Sequence, residues 1–256
     1  MRNHDTKNTE APITASGPPD APALVLIHGL AGSAAWWDPV VPALARAHRV
    51  LRVDLPGHGR SARPPRGGDD IPAQARRVAA ALDGLGVDRA AVAGHSTGGL
   101  VGTALAEQRP DLVGALALIN TGPSPDAHLP QPFPARLVTA PIVGRWMWRV
   151  RNDAAIRRGL DTAVAPGTTA TAQKSLDYLG GRELTARLAQ LTAPLMVIFG
   201  TRDRRRQPFP AERYRVVPGL RLELLPGVGH TPMLESPTRT AELLLAFTSS
   251  LRRAAG

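Results

Sequence analysis

Short apolar runs alternate with longer stretches of helical spacing along most of this chain. Ala23–Ile27 (ALVLI) is a continuous apolar run that stops at His28-Gly29, the pattern of a strand buried on both faces of a parallel sheet. Arg49–Leu55 (RVLRVDL) reads as the next strand and ends at Pro56-Gly57-His58-Gly59, while Trp36–Ala47 between them spaces its apolar residues as a helix does. Ile71–Leu85 predicts an amphipathic helix, Ala90–Ala93 a strand, Leu100–Gln108 a helix and Leu112–Ile119 a strand. The same rhythm returns late in the chain. There Pro194–Phe199 (PLMVIF) and Arg221–Leu225 read as strands, Ala211–Val217 as a helix-like stretch, and Thr238 to Leu251 as a closing helix. Strands alternating with helices predict an α/β fold, a mostly parallel doubly wound sheet with helices on both faces. In such a sheet the binding crevice lies at the carboxyl ends of the strands.

Two stretches fall outside the rhythm. Residues 1–21 are polar and proline-containing and read as a flexible leader. Residues 123–192 carry no convincing strand; they open with Pro123, Pro125, Pro130, Pro132 and Pro134 and continue in helix-like pieces such as Arg136–Val150. This segment reads as a helical cap inserted between two parts of one core, residues 22–122 and 193–256. No internal repeat or long linker suggests a second independent domain.

Composition changes this picture little. Of 256 residues, 43% are hydrophobic and 20% charged, ordinary globular proportions. The formal net charge of +10 raises nucleic acid or an anionic membrane as a partner, but all the basic residues except Lys7 and Lys174 are arginines scattered through an Ala/Gly/Pro-rich chain. With aromatics at 4% there is no stacking surface, so neither partner is expected. The absence of cysteine excludes disulfides, thiolate metal sites and cysteine nucleophiles, and no apolar run approaches the length of a membrane span. The N-terminus, MRNHDTKNTEAP, lacks the apolar core of a signal peptide, and a cytoplasmic location is the expectation.

Candidate chemistry begins at Gly94-His95-Ser96-Thr97-Gly98, where a strand hands over to a helix. A G-x-S-x-G sequence there lets a sharp turn hold the serine in a strained backbone conformation and lift its hydroxyl clear of the sheet. Serine needs a positioned base, and the base needs an acid to orient it. His230 in PGVGHTPMLESP follows the last predicted strand, and Asp203 in IFGTRD follows Pro194–Phe199. Both lie at carboxyl strand ends, the edge that also carries Ser96. Asp54 and Glu235 are rival acids; Asp54 sits in a turn motif one loop away, and Glu235 follows His230 too closely to orient its ring easily. His28 and His95 fall in glycine-containing turns and read as loop-pinning residues, and His58 lies in a turn that reads as packing; none of the three reads as the base.

These residues, with HGLAGS (His28–Ser33), DLPGHGRS (Asp54–Ser61) and GVGHTPMLESP, resemble the α/β-hydrolase superfamily from about Ala23 to Leu251. The resemblance implies Ser96, Asp203 and His230 as catalytic triad and the backbone amides of Leu30 and Thr97 as oxyanion hole. It implies acyl transfer to water from an ester, lactone or thioester of a small apolar substrate, without metal or cofactor. Family members often begin with a β-hairpin ahead of the His-Gly strand, and the short proline-rich N-terminus here suggests shortened or missing first strands.

Trp36 and Trp37 beside the oxyanion loop, and Trp146 and Trp148 in RWMWRV of the cap, are candidates for lining the substrate pocket, with core packing as the competing use. The Arg202 and Arg204–Arg206 cluster is either an anion contact or a solvated face. Two other readings use the same residues: carbon–carbon bond hydrolysis or cofactor-free perhydrolysis by the same triad, and a non-catalytic protein holding a small apolar ligand. Oligomeric state is left open by the sequence.

Overall fold

A computed structural model describes residues 11–62, 70–123, 177–180, 183–203 and 210–254 of the chain. Its centre is one sheet of β1 (Ile13–Ser16), β2 (Ala23–Ile27), β3 (Arg49–Val53), β4 (Ala90–His95), β5 (Val113–Ile119), β6 (Leu195–Gly200) and β7 (Arg221–Leu225), in the order β1-β3-β2-β4-β5-β6-β7. All neighbours are parallel except β1, which runs antiparallel to β3 with Ile13 opposite Val53 and Ser16 opposite Val50.

Successive side chains of a strand face opposite ways, so each apolar run serves two cores. Val25 and Ile27 of β2 join Leu51, Val53, Val92 and Leu116 against helices α2 (Ile71–Gly84) and α3 (Thr97–Gln108). Leu24 and Leu26 join Met196 and Ile198 on the other face, against Trp37, Leu44 and the closing helix. The continuous apolar runs are thus explained by helices covering both faces.

Several helix bounds differ from expectation for local reasons. The predicted helix over Trp36–Ala47 is a 3-10 turn (Ala34–Trp37) and a short α1 (Val41–Leu44), because Pro39 lies between them and Pro42 is accommodated in the first turn of α1. Helix α2 starts at an Asp70 cap whose Oδ1 accepts from the Ala73 amide at 2.7 Å. The stretch Ala211–Val216 is also 3-10. After α4 (Leu184–Leu188) and β7, a four-residue helix α5 (Pro232–Glu235) leads into α6 (Pro237–Ala254).

The leader assignment is corrected for residues 13–16, which form β1. Ile-Thr-Ala-Ser carries almost no hydrophobic signal; what makes it a strand is the outer edge of β3, whose amides and carbonyls need partners. Ala11 is buried and Ile13 packs on the same core, so the sheet begins before the His-Gly strand. At the far end of the predicted cap, Leu184 and Leu188 of α4 are fully buried with Leu105 and Val101 of α3. Tyr178 donates to Glu107 of α3 (2.8 Å), and Arg187 reaches the same carboxylate at 2.9 Å. This end of the segment is therefore packed into the main core. Residues 124–176, with Trp146 and Trp148, lie outside the described residues, as do Arg204–Arg206.

Candidate active site

The carboxyl ends of β2 to β7 carry every candidate residue that can be placed. Between β4 and α3, Ser96 has φ 51° and ψ −117°, a conformation rare for a residue with a side chain. Its neighbours explain how the turn is held. A Cβ on Gly94 would stand 2.3 Å from the Gly98 carbonyl oxygen, and one on Gly98 would stand 2.4 Å from that of Ile27. The Ser96 amide donates to the Ile119 carbonyl (2.8 Å), and Thr121 Oγ1 donates to the Ser96 carbonyl (3.0 Å). A serine ahead of a helix usually caps it through its own oxygen; this side chain makes no capping bond to α3. Thr97 is the first residue of α3, so its amide has no acceptor within the helix. The helix begins three residues earlier than its apolar spacing suggests, with Gly98 packed closely on the end of β2 and Gly99 on Leu118 and Thr121 at the end of β5.

Asp203 and His230 meet in a wholly buried contact. Their loops are laced together by bonds from the Thr201 amide to the Leu225 carbonyl (3.0 Å), Arg202 to Val228 (2.8 Å) and Gly227 to Thr201 Oγ1 (3.0 Å). Asp203 is 0% exposed and His230 5%, and His230 Nδ1 donates to Asp203 Oδ2 at 2.7 Å. With the Nδ1 proton on the carboxylate side, Nε2 is left as the acceptor. The loop is also fastened to the elbow. His95, the residue before Ser96, donates from Nε2 to the His230 carbonyl (2.8 Å), and the two rings lie edge to face with centroids 4.9 Å apart.

The rival acids have other employment. Asp54 accepts from the Ala34 amide (2.8 Å) and the Arg60 amide (3.2 Å), clasping the loop after β2 to the loop after β3. Burial works against its charge, but these bonds outweigh burial and hold the carboxyl below its ordinary range. Glu235 bridges both sides of His230, taking the Gly229 amide on Oε2 (2.6 Å) and the Thr231 amide and hydroxyl on Oε1 (2.8 and 2.9 Å). It braces the histidine loop rather than the ring.

His28 and His58 stitch the loop that carries Leu30. His28 Nε2 accepts from the Leu55 amide (3.0 Å), and its Nδ1 proton points at the Gly29 carbonyl (2.7 Å). His58 Nε2 accepts from the Ala31 amide (3.3 Å) while Nδ1 donates to Pro56 (3.0 Å). The two rings lie 5.1 Å apart. Complete burial, with His58 beside it, pushes the His28 pKa down to about 4 and keeps it neutral near pH 7. Leu30 is half-buried in this loop, between Gly29 and Ala31, the latter at φ 62°.

The two tryptophans that can be placed divide their roles. Trp37 is 0% exposed and packs with Leu24, Leu26 and Leu44, so its pocket assignment is corrected: the 3-10 turn rotates it into the core. Trp36 stays half-buried with its ring 5.7 Å from that of His95. Arg202 is exposed.

Asn120 escaped the sequence reading. It follows β5, is fully buried at φ 47°, and donates from Nδ2 to Asp203 Oδ2 at 2.8 Å. The one available signal was a lone polar residue ending an apolar strand at the carboxyl edge. Among the described residues no group of three or more His, Cys, Asp or Glu side chains could hold a metal ion, and no helix is long and apolar enough to cross a membrane.

Comparison with known proteins agrees with this architecture. Residues 24–243 match the model of the alpha/beta hydrolase family. A Variovorax paradoxus protein named "Putative carbamate hydrolase RutD" is 34% identical over 233 residues, covering 84% of this chain and 86% of that protein. Among solved structures, the enol-lactonase from Burkholderia xenovorans LB400 superposes with a TM-score of 0.73 at 26% identity, covering 93% of this chain and 96% of that one. A hydrolase from Pseudomonas aeruginosa PA01 gives 0.72 at 27% identity, covering 92% and 93%. The strand order, the helices on both faces and a family match spanning most of its length together establish that the chain belongs to the alpha/beta hydrolase family and is a hydrolase.

Proposed function

We propose that the chain is a serine hydrolase that cleaves an ester, lactone or thioester of a small, largely apolar substrate through an acyl-enzyme on Ser96. The observation that carries this reading is the buried Asp203–His230 bond, 2.7 Å long, held against a strained serine turn by the His95 bond to the His230 carbonyl. In the first half-reaction Ser96 Oγ attacks the substrate carbonyl carbon and its proton passes to His230 Nε2. Asp203 fixes the tautomer and stabilises the imidazolium without taking the proton. The tetrahedral oxyanion sits between the Leu30 and Thr97 amides, each worth about 3 kcal/mol of transition-state stabilisation. Collapse expels the leaving alcohol, enol or thiol, protonated by His230. Water then attacks the acyl carbon with His230 as base, and the released acid restores Ser96. Trp36 beside His95 supplies apolar surface next to the reacting carbonyl.

The relative named for carbamate hydrolysis favours a second bond type, because a carbamate carbonyl is open to the same attack. Carbon–carbon hydrolysis and perhydrolysis are separated from both by product analysis. The deciding experiment is labelling with a fluorophosphonate, followed by a panel of p-nitrophenyl esters, lactones, acyl thioesters, carbamates and β-diketones with wild type, Ser96→Ala and His230→Ala. Expected are stoichiometric labelling at Ser96 and a fall in turnover of about 10⁴-fold or more in both variants, with the fold intact. Folded wild type that resists the label, or a variant that keeps its rate, would overturn the reading of Ser96 and His230 as nucleophile and base.

A further inference from the structure

We propose that Asn120 is a positioning residue that locks acid and base to each other with a single side-chain amide, an inference resting on the reading of Asp203 and His230 as that pair. Its Nδ2 donates to Asp203 Oδ2 at 2.8 Å, the same oxygen that accepts from His230 Nδ1 at 2.7 Å. The same nitrogen reaches the carbonyl of Gly229, the residue before the base, at 3.3 Å. Its Oδ1 accepts from the amide of Gly200 (3.2 Å), three residues before the acid, and its backbone amide bonds Ile198 at 2.9 Å. One planar group thus ties the end of β5 to the loops after β6 and β7. It is fully buried, and its φ of 47° is a conformation that Asn, Asp and Gly tolerate far better than other residues.

Two consequences follow for the pair. The carboxylate is fixed in the rotamer that presents Oδ2 to the imidazole. The second donor on Oδ2 also disperses its negative charge, so Asp203 can hold the Nδ1 proton in place without drawing it across. Among the described residues, the other titratable groups facing this centre are His95 from β4, with its ring 4.9 Å from that of His230, and Glu235 from α5 on the flanking amides of Gly229 and Thr231.

Two substitutions suit the backbone at this position. Asn120→Asp is isosteric but sets a second carboxylate against Asp203, and Asn120→Gly removes the amide while keeping the turn. The full chain, labelled with ¹⁵N-histidine and shown to be folded by circular dichroism, is titrated by NMR, following the His230 ring and its low-field Nδ1 proton. The pH profile of p-nitrophenyl butyrate hydrolysis is measured in parallel. Asn120→Asp is expected to raise the pH at which His230 takes up its second proton by about one unit. In both variants kcat is expected to fall about tenfold to a hundredfold, with KM within about twofold.

A residue that only braced the fold would lower the melting temperature and leave both profiles where they are. Titration of His230 at the same pH in all three proteins, with its low-field proton unchanged, overturns the proposal. The NMR arm needs no substrate, so it decides the role of Asn120 even if wild type proves inert to the ester and to the fluorophosphonate, which would instead sink the serine-nucleophile reading.

Discussion

At Ser96 the backbone is bent into a conformation few serines adopt, and the strain is sustained by contacts of its glycine neighbours rather than by the serine itself. A methyl group on Gly98 would press on two main-chain oxygens, those of Ile27 at 2.4 Å and His28 at 2.5 Å, neither of which can rotate away. Gly98→Ala is therefore expected to cost about 1–3 kcal/mol of stability, read as a lower urea midpoint at unchanged slope. It should also slow fluorophosphonate labelling, because the elbow must move off β2. An alanine variant with wild-type midpoint and labelling rate would show that the turn has slack the contact distances do not suggest. The residues flanking Ser96 were legible from the G-x-S-x-G spacing. Asn120 was not, because nothing in ALALINTG distinguishes a strand-end asparagine that bonds solvent from one that bonds a buried carboxylate.

At the level of elements, the loops after β2 and β3 form a stitched unit in which His28, His58 and Asp54 each accept a backbone amide from the facing loop or their own. His28 makes this unit sensitive to acid. Its ordinary value of 6.5 falls to about 4 on folding, so the unfolded chain binds this proton first as pH drops. The stability it confers is complete above pH 6.5 and is lost as pH falls toward 4, by about 3 kcal/mol in all. His28→Gln, which keeps an acceptor for the Leu55 amide, should gain on wild type by that amount between pH 7 and pH 4 in urea titrations. A stability difference that stays constant with pH would contradict this account. His28 was expected to pin loops and His58 to sit in a packing turn; in the structure both pin loops by accepting an amide across the gap. The sequence reading misjudged the elements where prolines and long-range contacts override periodicity, as in the split of Trp36–Ala47 that sends Trp37 inward.

For the whole molecule, the antiparallel β1 closes one edge of the sheet and the Arg60 guanidinium reaches across to Thr14 Oγ1 (2.6 Å). Deleting residues 1–16 would leave the outer row of β3 amides and carbonyls unpaired, so the truncated chain should melt at least about 4 °C lower and scatter more light on concentration. Equal melting temperatures would mean that β1 only decorates the edge. The sequence by itself determined the alternation of strands and helices, the doubly wound sheet and the edge where Ser96, Asp203 and His230 lie, because period and punctuation are local properties of the chain. Only the tertiary structure decided that Ile13–Ser16 is a strand and that Asn120 and His230 share an oxygen of Asp203. Each of these depends on a partner far away in sequence, whose position no local pattern encodes.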